Sequence, residues 1–409
     1  MLKSDDALSV VDLFCGAGGL SIGFERAGFT VVNAIDNWEP AVATYRANVG
    51  NHVRKEAIHS ALQLSPARVI VGGPPCQGFS SAGRRRDDDS RNSLVAVYAD
   101  LVVKHRPDAF VFENVEGFLT GAGGRFVFEL LEPVIAAGYR VHLQKVNAAN
   151  YGVPQHRKRV VAIGGRGWDP TVPKPTHAAF GAPGAHLANG RLTAPAVTLS
   201  EAISKLPPPT LRDRATDDPD HTYAPLTGED LLRAQLLSKG QRMRDLPEEL
   251  WHDSYRRRAY RRVMDGTPTE RRGGAPSGVR RLKGDEPSKA ITGGSLRDFL
   301  HPEEDRVLTI RECATLQTFP ETFRFHGTQA DRIQLVGNAV PPHLAEVIAR
   351  SLRLDLERQP TRNSSRGALL SFVPTLSTGM SPVLDDVARR VRQRFVGCAN
   401  ITEQRTLWV

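Results

Sequence analysis

Cys76 stands in the segment Gly72-Gly73-Pro74-Pro75-Cys76-Gln77-Gly78-Phe79-Ser80, where two prolines stiffen the backbone just before it. Such a cysteine is expected on a rigid turn at the C-terminal edge of a strand, the rim on which open α/β sheets bind ligands. A helix starting just beyond would favour its thiolate through the N-terminal dipole. Farther along, Val111-Phe112-Glu113-Asn114-Val115 closes the next strand and brings a carboxyl to the same rim. Gln155-His156-Arg157-Lys158-Arg159 then adds two arginines that alternate along a strand start. A thiolate beside a carboxyl that can move a proton is the equipment of covalent catalysis with acid–base assistance. The other cysteines, Cys15, Cys313 and Cys398, are widely separated, and no Cys or His grouping has zinc-site spacing, so no metal is expected.

A second group of residues suits a nucleotide-like cofactor. Val10-Val11-Asp12-Leu13-Phe14 runs into Cys15-Gly16-Ala17-Gly18-Gly19, and glycines at a strand-to-helix turn let the backbone approach a ligand closely. Asp36 ends the second strand, where a carboxylate can accept hydrogen bonds from both hydroxyls of a ribose. The combination implies an adenosine-containing ligand. By itself it does not separate NAD, a flavin and S-adenosylmethionine.

The elements that must carry these groups alternate along the chain. Strands are expected at Ser9 to Phe14, Thr30 to Ile35, Arg68 to Gly72, Ala109 to Glu113, Arg140 to Asn147 and Val160 to Gly164. Helices are expected at Gly19 to Ala27 and Glu39 to Asn48. The pattern predicts an α/β fold with a doubly wound, mainly parallel sheet, because parallel strands need crossover helices. After Gly165 the chain turns rich in Pro, Gly, Arg and Asp, with one helical stretch near Glu229 to Lys239, which predicts a smaller irregular lobe. Helix-like order returns at Leu308 to Thr318 and Pro342 to Leu354, and a last amphipathic candidate is Val383 to Phe395. The expected division is 1–165 for a catalytic and cofactor-binding domain, 166–300 for the lobe, 301–354 for a return to the first domain, and 355–409 for a tail.

The 409 residues suffice for two or three domains, and 40% hydrophobic with 24% charged residues fits a globular chain. Apolar runs such as Val69 to Val71 are far short of a membrane span, and the first residues lack the apolar core of a signal peptide. A cytoplasmic, nucleoid-associated monomer is expected, without membrane contact. The net charge of +9 and pI of about 9.6 favour a polyanionic partner.

Taken in order, the glycine turn, PPCQGFS, ENV and QHRKR are followed by Arg311-Glu312-Cys313-Ala314 and Gln334-Leu335-Val336-Gly337-Asn338-Ala339-Val340-Pro341. This series resembles the DNA cytosine C5-methyltransferases over about residues 8–165 and 288–354, with the irregular lobe where that family keeps its target-recognition domain. The resemblance implies S-adenosylmethionine as cofactor and double-stranded DNA as partner. Cytosine C5 is a poor nucleophile, and addition of the Cys76 thiolate to C6 turns the ring into an enamine that can attack the methyl sulfonium. Glu113 would face N3 and assist the addition, while Arg159, with Arg157 beside it, holds the base and charges in register. Asn114 would brace the loop that carries Glu113. Phe14 would stack on the adenine and Asp36 hold the ribose. Ala17, Gly19, Leu20, Asn37, Ile58, Gly73, Pro75, Leu94, Asn338 and Val340 are the remaining implied cofactor contacts. The family often has an aromatic residue where Asn37 stands, with Trp38 next to it here, and an aspartate where Ala57 stands.

A cytosine in a duplex hides its reacting carbons in the stack, so the base must be flipped out, as is general for enzymes that modify bases. The polar stretch Ser80 to Asn92, with Arg84 and Arg91, is expected to close over the nucleotide and touch phosphates. Trp251 to Lys283 carries ten Arg or Lys against three acids. Its Arg256, Arg257, Arg258, Arg261, Arg262, Arg271, Arg272, Arg280 and Arg281 are expected to divide between phosphate and base contacts. Ala290-Ile291-Thr292-Gly293-Gly294 resembles the family's recognition-domain threonine motif, which gives Thr292 a place supporting the recognition loops. Two alternatives stay open at this stage. An RNA cytosine C5-methyltransferase would need a second catalytic cysteine or a Cys-Phe-Thr signature, and neither is present; a non-catalytic DNA-binding relative would not need Cys76, Glu113 and Arg159 together.

Overall fold

The strand β1 (Ser9–Leu13) reads SVVDL and is buried along its whole length, as a strand with helices on both faces should be. Numbered along the chain, its companions in the main sheet are β2 (Thr30–Asp36), β3 (Val53–Lys55), β4 (Val69–Gly72), β5 (Ala109–Asn114), β6 (Tyr139–Asn147), β7 (Lys158–Arg166) and β8 (Ala368–Val373). Their order across this eight-stranded sheet is β8-β6-β7-β5-β4-β1-β2-β3. Only β7 runs against its neighbours, β5 and β6; the other pairings are parallel. The fold is thus α/β, with a mixed and mostly parallel sheet. The computed structural model describes residues 8–75, 93–179, 194–257, 278–358, 366–376 and 379–395.

Helices α1 (Gly19–Arg26), α2 (Glu39–Asn48), α3 (Leu94–His105) and α4 (Arg125–Ala136) flank the first strands. Farther on come α5 (Leu199–Ile203), α6 (Gly228–Leu236), α7 (Ser295–Asp298), α8 (Ile310–Leu316), α9 (Gln329–Asn338), α10 (Pro342–Glu357) and α11 (Pro382–Arg394). Local sequence explains their ends. Thr309 with Glu312 and Thr328 with Asp331 form reciprocal capping boxes that start α8 and α9, and α10 has a proline in its first turn. α1 packs on α10 through Gly23, where an added Cβ would fall 2.4 Å from Ala345 Cβ. No helix among the described residues is long and apolar enough to cross a membrane.

Four apolar clusters hold the molecule. Two lie on opposite faces of the sheet, one with α3 and α4, the other with α1 and α10. The third joins Ala17, Ile22 and Ala41 to Leu199, Leu282, Ile291, Phe299 and the α8–α9 region. The fourth gathers Ala234, Leu237, Met243, Tyr255, Val279 and Leu300, with Val307 against them. Packing therefore runs straight across the expected boundary at 300, and Leu300 bridges Val307 in β pairing.

The expected tail also differs. Residues 368–373 form β8, parallel to β6 at the edge of the sheet, and α11 buries Val387, Ala388 and Val391 on the cluster that includes Phe372. The helix was legible from its apolar spacing. The strand was not, because ALLSFV is too short and too isolated to reveal a partner more than two hundred residues earlier. α3, α4, α9 and the short β3 were likewise unforeseen.

Candidate active site

β5 and β7 bring two of the expected site residues, Glu113 and Arg159, together through their register. Glu113 lies opposite Val161, and Asn114 opposite Val160. Side chains two apart on a strand share a face, so Arg159 is the diagonal neighbour of Glu113. Its Nε lies 2.8 Å from Glu113 Oε1, an ion pair that still leaves that oxygen without an aligned hydrogen bond. Both side chains are nearly buried, 11% and 13% exposed. Burial raises the Glu113 carboxyl above the usual range, with Arg159 and Arg157 opposing that rise. The result is a carboxyl that keeps a proton more readily than a surface glutamate and can offer it to a base.

The same rim carries the end of β4. An added Cβ at Gly73 would meet Glu113 Oε2 at 3.1 Å, so the glycine lets the chain pass close over the carboxyl. Asn114 Nδ2 donates to the Pro74 carbonyl at 3.0 Å, and Asn114 Oδ1 accepts from Val115 N. Asn114 thereby ties the proline turn to the strand that carries Glu113, a wider brace than its expected hold on the Glu113 loop alone. Pro75, exposed, is the last described residue before Cys76. Cys76, Ser80, Arg84, Arg91 and Arg258 lie outside the described residues, as do Arg261, Arg262, Arg271 and Arg272. Cys15 and Cys313 are buried, and burial pushes both thiols up, so neither is suited to act as a nucleophile.

Arg157 departs from expectation. Its guanidinium is wholly buried and donates to the carbonyls of Ile291, Gly337 and Ala339 at 2.8, 2.8 and 2.9 Å. Burial, reinforced by Arg159, depresses its affinity for the proton, yet three carbonyls still receive it as a cation. Arg157 thus fastens the threonine segment and the end of α9 to the start of β7. Gln155 does the same from beside it, accepting from Ile291 N and donating to Leu316 O and Gln317 Oε1. Nothing in the sequence distinguished these buried braces from solvated polar residues.

On the next strand of the rim, β1, which pairs with β4 as far as Leu13 and Gly72, Phe14, Gly16 and Gly18 all have positive φ, which bends β1 sharply into α1. An added Cβ at Gly19 would overlap the Val340 carbonyl at 2.1 Å, so the turn and the segment after α9 meet without side chains between them. Asp36 Oδ2 accepts from Gly16 N and Oδ1 from Trp38 N, both at 2.9 Å. Burial raises its pKa against these backbone hydrogen bonds. Phe14 and Leu94 are half-buried; Ala17, Leu20, Ile58 and Val340 are buried; Asn37 and Asn338 are exposed, and Trp38 packs against the third cluster.

Thr292 is exposed, and its Oγ1 accepts from Gly294 N. Its segment rests on α9 at Gly337, where an added Cβ would lie 2.5 Å from the Thr292 carbonyl carbon. In the lobe, Arg281 differs from expectation. Its side chain binds the carbonyls of Leu237, Ala234, His301 and Glu304 together with Asp305, and so belongs to the lobe's interior. Arg256 donates to Glu248 O, Arg257 is exposed, and Arg280 carries a buried Nε without a partner.

The family described as C-5 cytosine-specific DNA methylase matches residues 8–353. The chain belongs to this family. This DNA cytosine-5 methyltransferase is similar to the Type II methyltransferase M.AgeI of Thalassovita gelatinovora, with 33% identity over 85% of this chain and 99% of that one. It is equally similar, at 33%, to M1.HphI of Haemophilus parahaemolyticus, over 85% of this chain and 87% of the relative. Among solved structures, a prophage-encoded DNA modification methyltransferase from E. coli aligns over 86% of this chain and 99% of its own length. The identity is 26% and the TM-score 0.62. The match ends near the C-terminus of α10, so β8 and α11 lie beyond the region the family shares.

Proposed function

We propose that the protein transfers a methyl group from S-adenosylmethionine to carbon 5 of a flipped-out cytosine in a specific duplex site, through a covalent adduct of Cys76. The observation that carries this reading is the buried Glu113–Arg159 pair, set on the sheet rim beside the turn that leads into Cys76. The cofactor end fits an adenosine bearing a methionine. Each Asp36 oxygen accepts one backbone donor and keeps a lone pair for a ribose hydroxyl, and the turn is cleared of side chains. When bound, S-adenosylmethionine supplies the electrophilic methyl group.

The chain's own residues do the rest. The Cys76 thiolate adds to C6, forming the carbon–sulfur bond while the ring's electrons move toward C5. Glu113, its pKa raised by burial, gives its proton to N3 and neutralises charge growing on the ring. Arg159 pairs with the Glu113 carboxyl through Nε, donates from Nη1 to the Lys158 carbonyl, and leaves Nη2 to donate to the base. After C5 has gained the methyl group it gives up its proton to water, the C–H electrons re-form the C5–C6 double bond, the C6–sulfur bond breaks to return Cys76 as thiolate, and N3 returns its proton to Glu113. Arg84, Arg91, Arg256, Arg258 and Thr292 belong to duplex binding in this account, with Ser80 in the closing segment. The names of the relatives support a role in a restriction–modification system; in this account the enzyme acts as a monomer on nucleoid DNA in the cytoplasm. Tritiated S-adenosylmethionine offered with duplex DNA or transfer RNA tests the substrate. Label in duplex DNA, mapped to one site by bisulfite sequencing, is the expected result, and label in transfer RNA alone would refute it.

A further inference from the structure

Asp12 has no exposure at all, yet the reaction just described does not use it. Its Oδ2 accepts a hydrogen bond from Ser21 Oγ at 2.7 Å, while Oδ1 is buried without a partner. Ser21 accepts from the Tyr45 hydroxyl at 2.8 Å, and that oxygen lies 2.9 Å from Nε2 of the half-buried His52. A single file of hydrogen bonds thus runs from a partly solvated imidazole, through α2 and α1, to a carboxyl inside β1. It passes directly under the glycine turn, since an added Cβ at Gly18 would lie 3.1 Å from the Tyr45 ring.

Each hydroxyl has one proton to give, so the file has only two polarities. With Asp12 ionised, Ser21 must donate to it, Tyr45 to Ser21, and His52 must donate from Nε2. With Asp12 protonated on Oδ2, every bond reverses and Tyr45 donates to a bare Nε2. Passing from the second state to the first moves one proton along the file to His52, which releases its Nδ1 proton to solvent. The titratable groups around the file are Asp36, Cys15, Tyr98 and Glu25, and none brings a positive charge to Asp12. Burial, with Asp36 acting the same way, raises Asp12 to about 7, so both states are accessible near neutrality.

We propose that His52, Tyr45 and Ser21 are positioning residues of a proton-linked brace beneath the cofactor turn, whose ionised state is selected by a cationic cofactor. The proposal rests on the S-adenosylmethionine reading above. A positive ligand above the turn stabilises ionised Asp12, which fixes the file in the polarity where His52 donates and locks β1, α1 and α2 together.

Calorimetry in two buffers of different ionisation enthalpy, near neutral pH, counts protons released as S-adenosylmethionine binds. Wild type should release up to one proton, Asp12→Asn none, and Tyr45→Phe should bind about fivefold more weakly. Nitrogen NMR of His52 in the wild-type complex should show Nε2 protonated, and this readout needs no variant to fold. The brace is overturned if the complex holds His52 with a bare Nε2, or if Asp12→Asn releases as many protons as wild type. If wild type ignores S-adenosylmethionine but releases a proton on binding another cationic adenosine derivative such as 5′-deoxy-5′-dimethylsulfonioadenosine, the brace stands and the cofactor reading falls. If neither ligand binds with proton release, the brace falls.

Discussion

Glu113 and Arg159 work as one unit, because the arginine holds a carboxyl whose pKa burial raises. Glu113→Gln keeps the shape and removes the proton supply. Its methyl-transfer rate should fall about 10²–10⁴-fold while the cofactor dissociation constant stays near wild type, measured by single-turnover kinetics and calorimetry. Asp12 gives a pH signature of its own. Burial raises its pKa from 3.8 to about 7, so the cofactor-free folded protein binds a proton that the unfolded chain has already released. Its stability should therefore fall as pH rises from about 4 through about 7, and Asp12→Asn should lose that part of the slope. Urea midpoints at about pH 5 and about pH 8 would show the variant gaining on wild type at the higher pH. At this scale the sequence singled out the proposed reacting residues more readily than the buried braces around them. Glu113 and Asp36 stand at strand ends beside diagnostic neighbours, whereas Arg157 and Gln155 bind carbonyls distant in sequence.

Elements were legible where periodicity was strong and opaque where pairing was distant. β1, β2, β4 and β5 could be read because buried parallel strands are continuous apolar runs, and the glycine turn marks the start of α1. β8 could not, since its place depends on a parallel partner, β6, far back in the chain. That strand pairs the outer side of β6 and becomes the new edge, and α11 packs on the cluster beside it. Phe372, 1% exposed, anchors the addition, and Phe372→Ala should cost about 3–5 kcal/mol in urea unfolding. Cofactor affinity should change little, because β8 and the glycine turn lie at opposite parts of the sheet. Gly337 joins two elements instead of filling one. With 2.5 Å to the Thr292 backbone, Gly337→Ala must push the threonine segment away from α9. DNA affinity should drop while S-adenosylmethionine binding persists, a separation that filter binding and calorimetry would detect.

At the scale of the whole molecule, one rim of the sheet carries the proposed reacting residues, and the irregular lobe packs onto the same domain through the third cluster. The sequence marked the lobe by composition, yet not its packing, because the third cluster mixes residues from both sides of position 300. Of the lobe arginines, Arg281 is bound internally, while Arg256, Arg257 and Arg280 remain as described candidates for phosphate contact. Replacing one of these three by alanine should weaken all duplexes alike and flatten the salt dependence by about one unit, or, for a base contact, cost about 1–3 kcal/mol at the cognate site. Unchanged affinity, salt slope and site preference in all three would assign them to a solvated face. The central claim is that these parts serve covalent attack by Cys76 on a cytosine. A cognate duplex carrying 5-fluorocytosine lacks the proton removed in the last step and should trap the enzyme. With S-adenosylmethionine present, wild type should form a denaturation-resistant complex on a gel, and Cys76→Ser should bind the duplex without forming it. An undiminished covalent complex in Cys76→Ser would contradict the account.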